Sequence, residues 1–346
     1  MLTGVRGVRA PLLVALLAVA EGPAPVSAQD LSGIFRGVSP SVVIVRTSER
    51  DVSPEGQLAK FGETGSGVLI STDGKVMTAA HVVHLADRIV VEFLGGERVG
   101  ARIVASDEDA DVSLLQLDSV PTGVLVATLG DSDRVAIGEP VFIIGTPYGI
   151  GHTLSAGHVS GRHAPDTIYH GLAKAEFLQT DAAINQGNSG GPMFDMHGRV
   201  IGLVSHIISK SGGFEGLGFV VTSNMARRML LDAPSFWTGL SALLLTGDLS
   251  RVLNLPQPNG LLVQRVASGS AAAAIGIRGG TLKATIGSTE LILGGDIILE
   301  SVGIPMVDEA SRQKIRDALG QLKPGDPLKV KVFRQGRVVE LNGRIP

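Results

Sequence analysis

Residues 179–192 read Gln-Thr-Asp-Ala-Ala-Ile-Asn-Gln-Gly-Asn-Ser-Gly-Gly-Pro and seat Ser189 between Gly187-Asn188 and Gly190-Gly191. A hydrolytic serine needs backbone N–H groups aimed at the oxygen that becomes negative. Flanking glycines let the main chain take the turn that points those groups inward. The same five residues also occur as a plain glycine turn with an incidental serine, so the rest of the chain has to decide. Around the stretch, from about Ser39 to Leu203, short β-branched runs alternate with glycine turns. Residues 67–71 and 76–78 flank Asp73-Gly74 as a hairpin. Residues 89–93 and 99–104 flank Gly95-Gly96, and 141–144 and 199–204 continue the pattern. Strands this short and evenly spaced predict antiparallel sandwiches or barrels rather than a βαβ sheet.

Two sets of partners fit a serine in such a turn. Gly187-x-Ser189-x-Gly191 matches the strained elbow of α/β-hydrolases, which requires an acid and then a histidine after the serine. Downstream histidines are His197 and His206 alone, both in hairpin-like sequence close to Ser189. The opposite order, histidine, aspartate, serine, belongs to chymotrypsin-like barrels. Thr78-Ala-Ala-His81 supplies the histidine, although a lone histidine in an apolar run is more often structural. His84, three residues on, admits a metal reading, but no third ligand stands at helical spacing. Asp111 opens the apolar strand that follows Asp107-Glu108-Asp109-Ala110, and those three acids read as a solvated loop. Asp107, Asp109 and Asp111 also imitate the start of a calcium loop, but Val112 stands where its sharp turn needs glycine.

The composition narrows the chemistry. The chain has 346 residues with 30 Lys+Arg against 33 Asp+Glu, so no basic excess supports nucleic-acid binding. Hydrophobic residues make up 44%, enough to bury a core in each of two domains. With no cysteine, disulfides, thiolate metal sites and a cysteine nucleophile are excluded. Arg6 and Arg9, the apolar run Pro11 to Ala20 and the small-residue site Val26-Ser27-Ala28 read as a secretory signal peptide over residues 1–28, cleaved after Ala28. As a helix the run reaches only about 15 Å, half of a bilayer core, so no permanent membrane span is expected. A helix is expected over 223–231, a connector at 232–235, and then a second unit with strands near 261–266 and 328–333. Asp308 to Leu322 has Ile315, Leu319 and Leu322 at helical spacing. Residues 279–295, with two Gly-Gly pairs, look like an insertion in this unit.

Taken together, Gly65-Ser-Gly-Val68, Thr78-Ala-Ala-His81, Asp111-Val-Ser-Leu114, Gly145-Thr-Pro-Tyr-Gly149, residues 179–184 and 187–192, and Gly216-Leu-Gly-Phe-Val-Val221 resemble the HtrA/Deg family of envelope serine proteases. The resemblance covers essentially the whole chain after the export segment. It implies a mainly β protein, with a chymotrypsin-like double β-barrel over 29–235 followed by a peptide-binding PDZ (α+β) domain over 236–346. His81, Asp111 and Ser189 become the triad, and Gly187, Asn188 and Ser189 the oxyanion turn, with no cofactor. The primary specificity pocket falls at Ala183. Ala183, Ile184, Leu203 and Val204 suggest a small apolar pocket for Val, Ile or Ala, where a tryptic enzyme would need a carboxylate.

The resemblance also implies a basic residue between Ser160 and Phe177 that reports ligand binding to the oxyanion turn; Arg162 is the candidate, the alternative being that it is simply a solvated arginine. Trp237-Thr238-Gly239-Leu240 resembles the turn that receives a peptide C-terminus, although Trp237 fits equally well as a hydrophobic peg between domains. The implied partners are unfolded or misfolded protein substrates in the periplasm, C-terminal peptides, and two further copies in a homotrimer built through residues 30–35. A chaperone or PDZ scaffold that binds unfolded chains without cutting them is the competing class.

Overall fold

Strands covered on both faces lose the alternation of apolar and polar residues. Val42-Val43-Ile44-Val45 is such a run. All four side chains are buried, with Val43 and Val45 inside one barrel and Val42 in the layer between two barrels. The computed structural model describes Met1 and residues 31–52, 58–165, 167, 175–287 and 289–345. The export segment, Met1 apart, lies outside the described residues. Leu31–Pro346 gathers into one compact unit.

Helix α1 (Leu31–Val38) turns Leu31, Ile34, Phe35 and Val38 onto the inter-barrel layer. The first barrel is made of β1 (Val42–Val52), β2 (Leu58–Leu69), β3 (Lys75–Thr78), β4 (Arg88–Glu92), β5 (Arg98–Asp107) and β6 (Val112–Leu117), with the short helix α2 (Ala80–Val83) after β3. It closes in the order β1-β2-β3-β6-β5-β4. The second contains β7 (Thr128–Leu129), β8 (Pro140–Gly145), β9 (Thr153–His163), β10 (Phe177–Thr180), β11 (Pro192–Asp195), β12 (Arg199–Ile207) and β13 (Gly218–Thr222). Its order is β11-β8-β9-β10-β13-β12, closed by a β11–β12 pairing, with β7 added on β12. Here too the two faces of a strand go to different cores. Val141 and Ile143 fill the barrel, while Phe142 and Ile144 face the inter-barrel layer.

The expected helix over 223–231 is α3 (Ser223–Arg227), which widens into a π-type turn at Arg228–Asp232. Beyond it a second sheet has the order β14-β15-β18-β20-β21, with a two-residue strand, β19, paired to β18. Its members are β14 (Leu240–Leu245), β15 (Gly260–Val266), β18 (Ile297–Ser301), β19 (Ile304–Pro305), β20 (Pro327–Arg334) and β21 (Arg337–Arg344). Short helices α4 (Gly247–Val252) and α5 (Ala271–Ala274) precede α6 (Glu309–Gly320). Asp308 starts α6 with a reciprocal cap on Ser311, and Ile315 and Leu319 go into the core. The glycine-rich insertion is a hairpin of its own, β16 (Leu282–Ile286) and β17 (Thr289–Leu293). Leu291 and its neighbours cover one face of the sheet, against Leu245, Leu262, Ile297 and Leu299. No helix among the described residues is long and apolar enough to cross a membrane.

The inter-barrel layer contains the largest fully buried side chains, Phe142 and Phe194, stacked with ring centroids 5.2 Å apart. Phe142→Ala is expected to cost about 3–5 kcal/mol, read as a lower urea midpoint with an unchanged slope. A loss below about 1 kcal/mol would mean that the layer does not hold the barrels.

Candidate active site

His81 sits in α2 directly after β3, and Asp111 closes the turn between β5 and β6. That turn is tight. The Ala110 N–H donates to Asp107 Oδ1 at 3.0 Å, and the Asp111 N–H to the Glu108 carbonyl at 3.2 Å. Asp111 itself takes the left-handed backbone conformation, φ 54°, which costs a non-glycine residue energy unless its surroundings hold it. Asp111 Oδ1 accepts the backbone N–H of His81 at 3.0 Å, and the ring Nδ1–H lies 2.9 Å from both carboxylate oxygens. The Ser205 hydroxyl donates to Oδ2. Nδ1 is thereby the protonated nitrogen, and Nε2 is left as the basic one.

The electrostatics follow from these contacts. Burial pushes the Asp111 carboxyl up, but the bonds and charge of His81 and the Ser205 hydroxyl outweigh it, and the net shift is downward. Burial pushes His81 down, yet the Asp111 bond, the Asp111 charge and the Glu63 charge raise it above its ordinary value. Sequence reading had passed over Ser205. Its signal was a hydroxyl in the otherwise apolar strand β12, where residues 200–205 are all buried.

Ser189 is held by the other barrel. The Ser66 N–H donates to the Ser189 carbonyl at 2.8 Å, and the Ser66 hydroxyl donates to the Gly187 carbonyl at 2.7 Å. Gly187 has φ 101°. Among the described residues the N–H groups of Gly187 and Ser189 have no protein acceptor, whereas that of Asn188 is bonded to the Asn185 carbonyl at 3.0 Å. Two donors are therefore open beside Ser189, and Asn188 forms the turn between them. His81 spends its bonds among the described residues on Asp111 alone, and a serine–histidine contact of this kind commonly tightens only when substrate arrives.

The four residues expected to line one pocket do not stay together. Ile184 and Val204 are buried in the second barrel with Ala182 and Val220, while Leu203 points into the inter-barrel layer. Successive residues of a strand face opposite sides, so Leu203 and Val204 cannot share a pocket. Ala183 is exposed, and its carbonyl accepts the Ser155 hydroxyl at 2.7 Å. Arg162 reaches Glu176 at 2.7 Å and the Ser132 and Val135 carbonyls, and these contacts do not include the nucleophile turn. Part of the segment expected to be regulatory, 166 and 168–174, lies outside the described residues.

The expected peptide turn is also a junction. Phe236 packs in the core of the second sheet, but Trp237 packs on the first barrel, with Nε1 donating to the His84 carbonyl at 3.0 Å. Gly239 has φ 67°, its carbonyl accepts the Ala267 N–H at 2.8 Å, and the Thr238 hydroxyl accepts the Leu240 N–H at 3.4 Å. The Leu240 carbonyl lies 3.2 Å from His84 Nε2. An apolar groove between β14 and α6 is lined by Leu240, Ala242, Ile315 and Leu319 and closed by Glu108 and Arg316. Of the acids 107–109, expected to be solvated, Asp107 and Asp109 instead pair with α6, while Glu108 keeps 37% of its side chain in solvent and lies 3.0 Å from His84 Nε2. The partners of Asp107 and Asp109 stand some two hundred residues away along the chain, beyond the reach of local reading.

Comparison with known proteins agrees with this geometry. The family described as trypsin-like peptidase domain matches residues 65–203. A probable periplasmic serine endoprotease DegP-like of Pseudomonas putida is 36% identical over 296 residues, covering 82% of this chain and 56% of its own length. The chain thus spans about half the length of the first such relatives. A DegP-like protein of Hahella chejuensis is 32% identical and DegQ of Escherichia coli, a periplasmic pH-dependent serine endoprotease, 30%; each match covers 94% of this chain and 72% of the relative. Among solved structures, the HtrA-type protease AlgW with a decapeptide superposes at a TM-score of 0.52 and 28% identity, covering 91% of this chain and 98% of that one.

The burial of His84 and Glu108 sets a pH signature. Burial holds His84 down at about 4 from 6.5, and burial raises Glu108 to about 7 from 4.5, although 37% of its side chain reaches solvent. Between 4.5 and 6.5 the folded protein carries a proton on Glu108 that the unfolded chain lacks. Over the same range it lacks a proton on His84 that the unfolded chain carries. The two slopes oppose each other. In Glu108→Gln the His84 slope stands alone, so stability relative to wild type should fall as the pH is lowered from 6.5 toward 4. Urea midpoints of both proteins across that range check this, and parallel profiles would contradict it.

Proposed function

The chain belongs to the family of HtrA-type serine endoproteases that includes DegP and DegQ, and on that footing we propose that it is an ATP-independent serine endopeptidase cleaving unfolded or misfolded proteins in the periplasm. The reading rests above all on one arrangement: a His81–Asp111 pair with Nε2 left basic, and two unengaged N–H groups beside Ser189. Ser189 Oγ attacks the peptide carbonyl while His81 Nε2 takes its proton. Asp111 keeps Nδ1 protonated and stabilises the imidazolium. The N–H groups of Gly187 and Ser189 receive the oxyanion, a contribution of about 2.7–4 kcal/mol per donor in a comparable enzyme. His81 then hands the proton to the leaving amine, and water repeats the cycle on the acyl-enzyme. No cofactor is called for.

The same reading divides the chain into an export signal over 1–28, removed after Ala28, a protease domain over 29–235 and a PDZ domain over 236–346. The groove between β14 and α6 supports a C-terminal peptide as ligand of the last. The protease would work as a homotrimer built through residues 30–35. Ala183, at the position the resemblance gives to the pocket base, supports cleavage after Val, Ile or Ala, since a tryptic enzyme would need a carboxylate there to pair with Lys or Arg.

Wild type is expected to degrade casein and Ser189→Ala to leave it intact. Mass spectrometry of the fragments should find Val, Ile or Ala before the cut; cuts mainly after Lys or Arg would refute the pocket. His81 must be neutral to accept a proton and its value is raised, so kcat/KM should fall as pH is lowered, with a half-point above 6.5. Equal degradation by wild type and Ser189→Ala would remove the catalytic assignment and favour binding without proteolysis.

A further inference from the structure

The turn that carries Asp111 is held from outside its own barrel. Arg316, on α6, places Nη2 2.9 Å from Asp107 Oδ2 and bonds Asp109 Oδ2 through Nη1. Arg312, one helical turn earlier, lies 3.8 Å from Asp109 Oδ1. The planar guanidinium thus spans the first and third residues of a turn whose fifth residue is Asp111. Asp107 uses its other oxygen to accept the Ala110 N–H, so the bridge continues through a hydrogen bond into the backbone of the residue before Asp111. The participants are shielded: side-chain exposure is 25% for Arg316, 10% for Asp107 and 16% for Asp109. Two charge-assisted bonds from a partly buried fork constrain geometry in a way that an exposed ion pair does not.

The constraint has something to hold. Asp111 is one of the few non-glycine residues with positive φ, and such a conformation persists only where the surroundings over-determine it. Inside the first barrel the turn has the bonds of Ala110 and Asp111 to its own earlier residues, and beyond them the side-chain bonds of Asp111 to His81 and Ser205. Glu108 adds a contact with His84 at 3.0 Å, and from α6 Arg316 ties Asp107 to Asp109 while Arg312 lies 3.8 Å from Asp109.

We infer that Arg316 is a positioning residue for the His81–Asp111 pair, bridging Asp107 and Asp109 so that the Asp111 carboxylate meets the imidazole edge. It touches no reacting atom, and its influence passes through the backbone of the 107–111 turn. Geometry rather than charge is the point of the bridge: a lysine ammonium has no fork with which to span both carboxylates. This inference rests on the proposed hydrolytic function for its kinetic readout, and its spectroscopic readout is independent of that function.

The test compares wild type, Arg316→Gln, Arg316→Lys and Arg50→Gln in the full chain. Arg50 also joins the barrel to the second sheet, through Ser268, but lies on β1, away from the turn. Displacing a catalytic group by about 1 Å costs roughly a hundredfold in rate. Arg316→Gln is therefore expected to lower kcat on a peptide substrate by about 10- to 100-fold with KM within about twofold, and Arg316→Lys to recover only part. Arg50→Gln should match wild type. In proton NMR the downfield Nδ1–H signal of His81 should weaken or shift in Arg316→Gln and persist in Arg50→Gln.

Unchanged kcat and an unchanged His81 signal in Arg316→Gln would overturn the inference, as would equal losses in Arg316→Gln and Arg50→Gln, which would mark a general docking effect. If wild type proves no more active than Ser189→Ala, the hydrolytic reading fails while the His81 signal still decides the role of Arg316. If Arg316→Gln does not fold, judged by circular dichroism, Asp109→Asn removes one arm of the bridge and carries the same expectations.

Discussion

Ser66 joins the two barrels at the point where the chemistry is assembled. It is fully buried, and each of its polar groups reaches a different piece of the site. Its N–H holds the Ser189 carbonyl, its hydroxyl donates to the Gly187 carbonyl and accepts the Thr146 N–H at 2.9 Å, and its own carbonyl accepts the Thr78 hydroxyl at 2.7 Å. Thr78 ends the strand that leads to His81. One residue of β2 therefore registers the nucleophile turn of the second barrel against the histidine of the first. A neutral hydrogen bond contributes only about 1 kcal/mol net, but a buried donor or acceptor left without its partner costs about 1–3. The network is accordingly a specifier of geometry more than a store of stability.

The packing around that point explains why glycine recurs there. A Cβ on Gly190 would lie 2.2 Å from the Thr78 hydroxyl and 2.4 Å from the Ser66 carbonyl, and the residue has φ 79°. At Gly190 the main chain of the nucleophile turn lies too close to the first barrel for any side chain to fit. With no cysteine in the chain, the barrels are joined by this contact and by the aromatic layer of Phe142, Phe194, Phe177 and Phe219. Stacked and edge-on rings account for the directional part of that layer.

Much of this was legible in the chain. The hairpin spacing predicted antiparallel sandwiches or barrels because it depends on local patterns, a glycine turn and a β-turn dipeptide, while the order His81, Asp111, Ser189 matched chymotrypsin-like barrels and the family resemblance implied that there are two. The capped helix after Asp308 was readable for the same reason. What escaped was set by tertiary partners. Leu203 and Val204 read as one apolar pair, yet both faces of β12 are buried and they serve different cores. Asp107, Glu108 and Asp109 read as solvated because nothing nearby in sequence neutralises them. Residues 279–295 read as an interruption, whereas Leu291 fills the second face of the sheet. Ser205 resembled any hydroxyl in a strand until the Asp111 carboxylate was found against it.

Two carboxyl groups three residues apart on the turn after β5 end in opposite electrostatic states, and that contrast organises the region. Asp111 receives N–H and O–H donors and the charge of His81, so burial loses and the carboxyl stays ionised. Glu108 faces apolar wall and a neutral His84. The charges of Arg312 and Arg316 draw its carboxyl back only in part, and it rests at about 7. Ionised Asp111 suits the stabilisation of an imidazolium. Glu108, near its midpoint in neutral solution, borders the groove between β14 and α6 with 37% of its side chain reaching solvent. A group apolar throughout would leave His84 Nε2 only the Leu240 carbonyl. The turn thus presents Asp111 to the triad and Asp107 and Asp109 to the cations of α6, which is how five consecutive residues serve two environments at once.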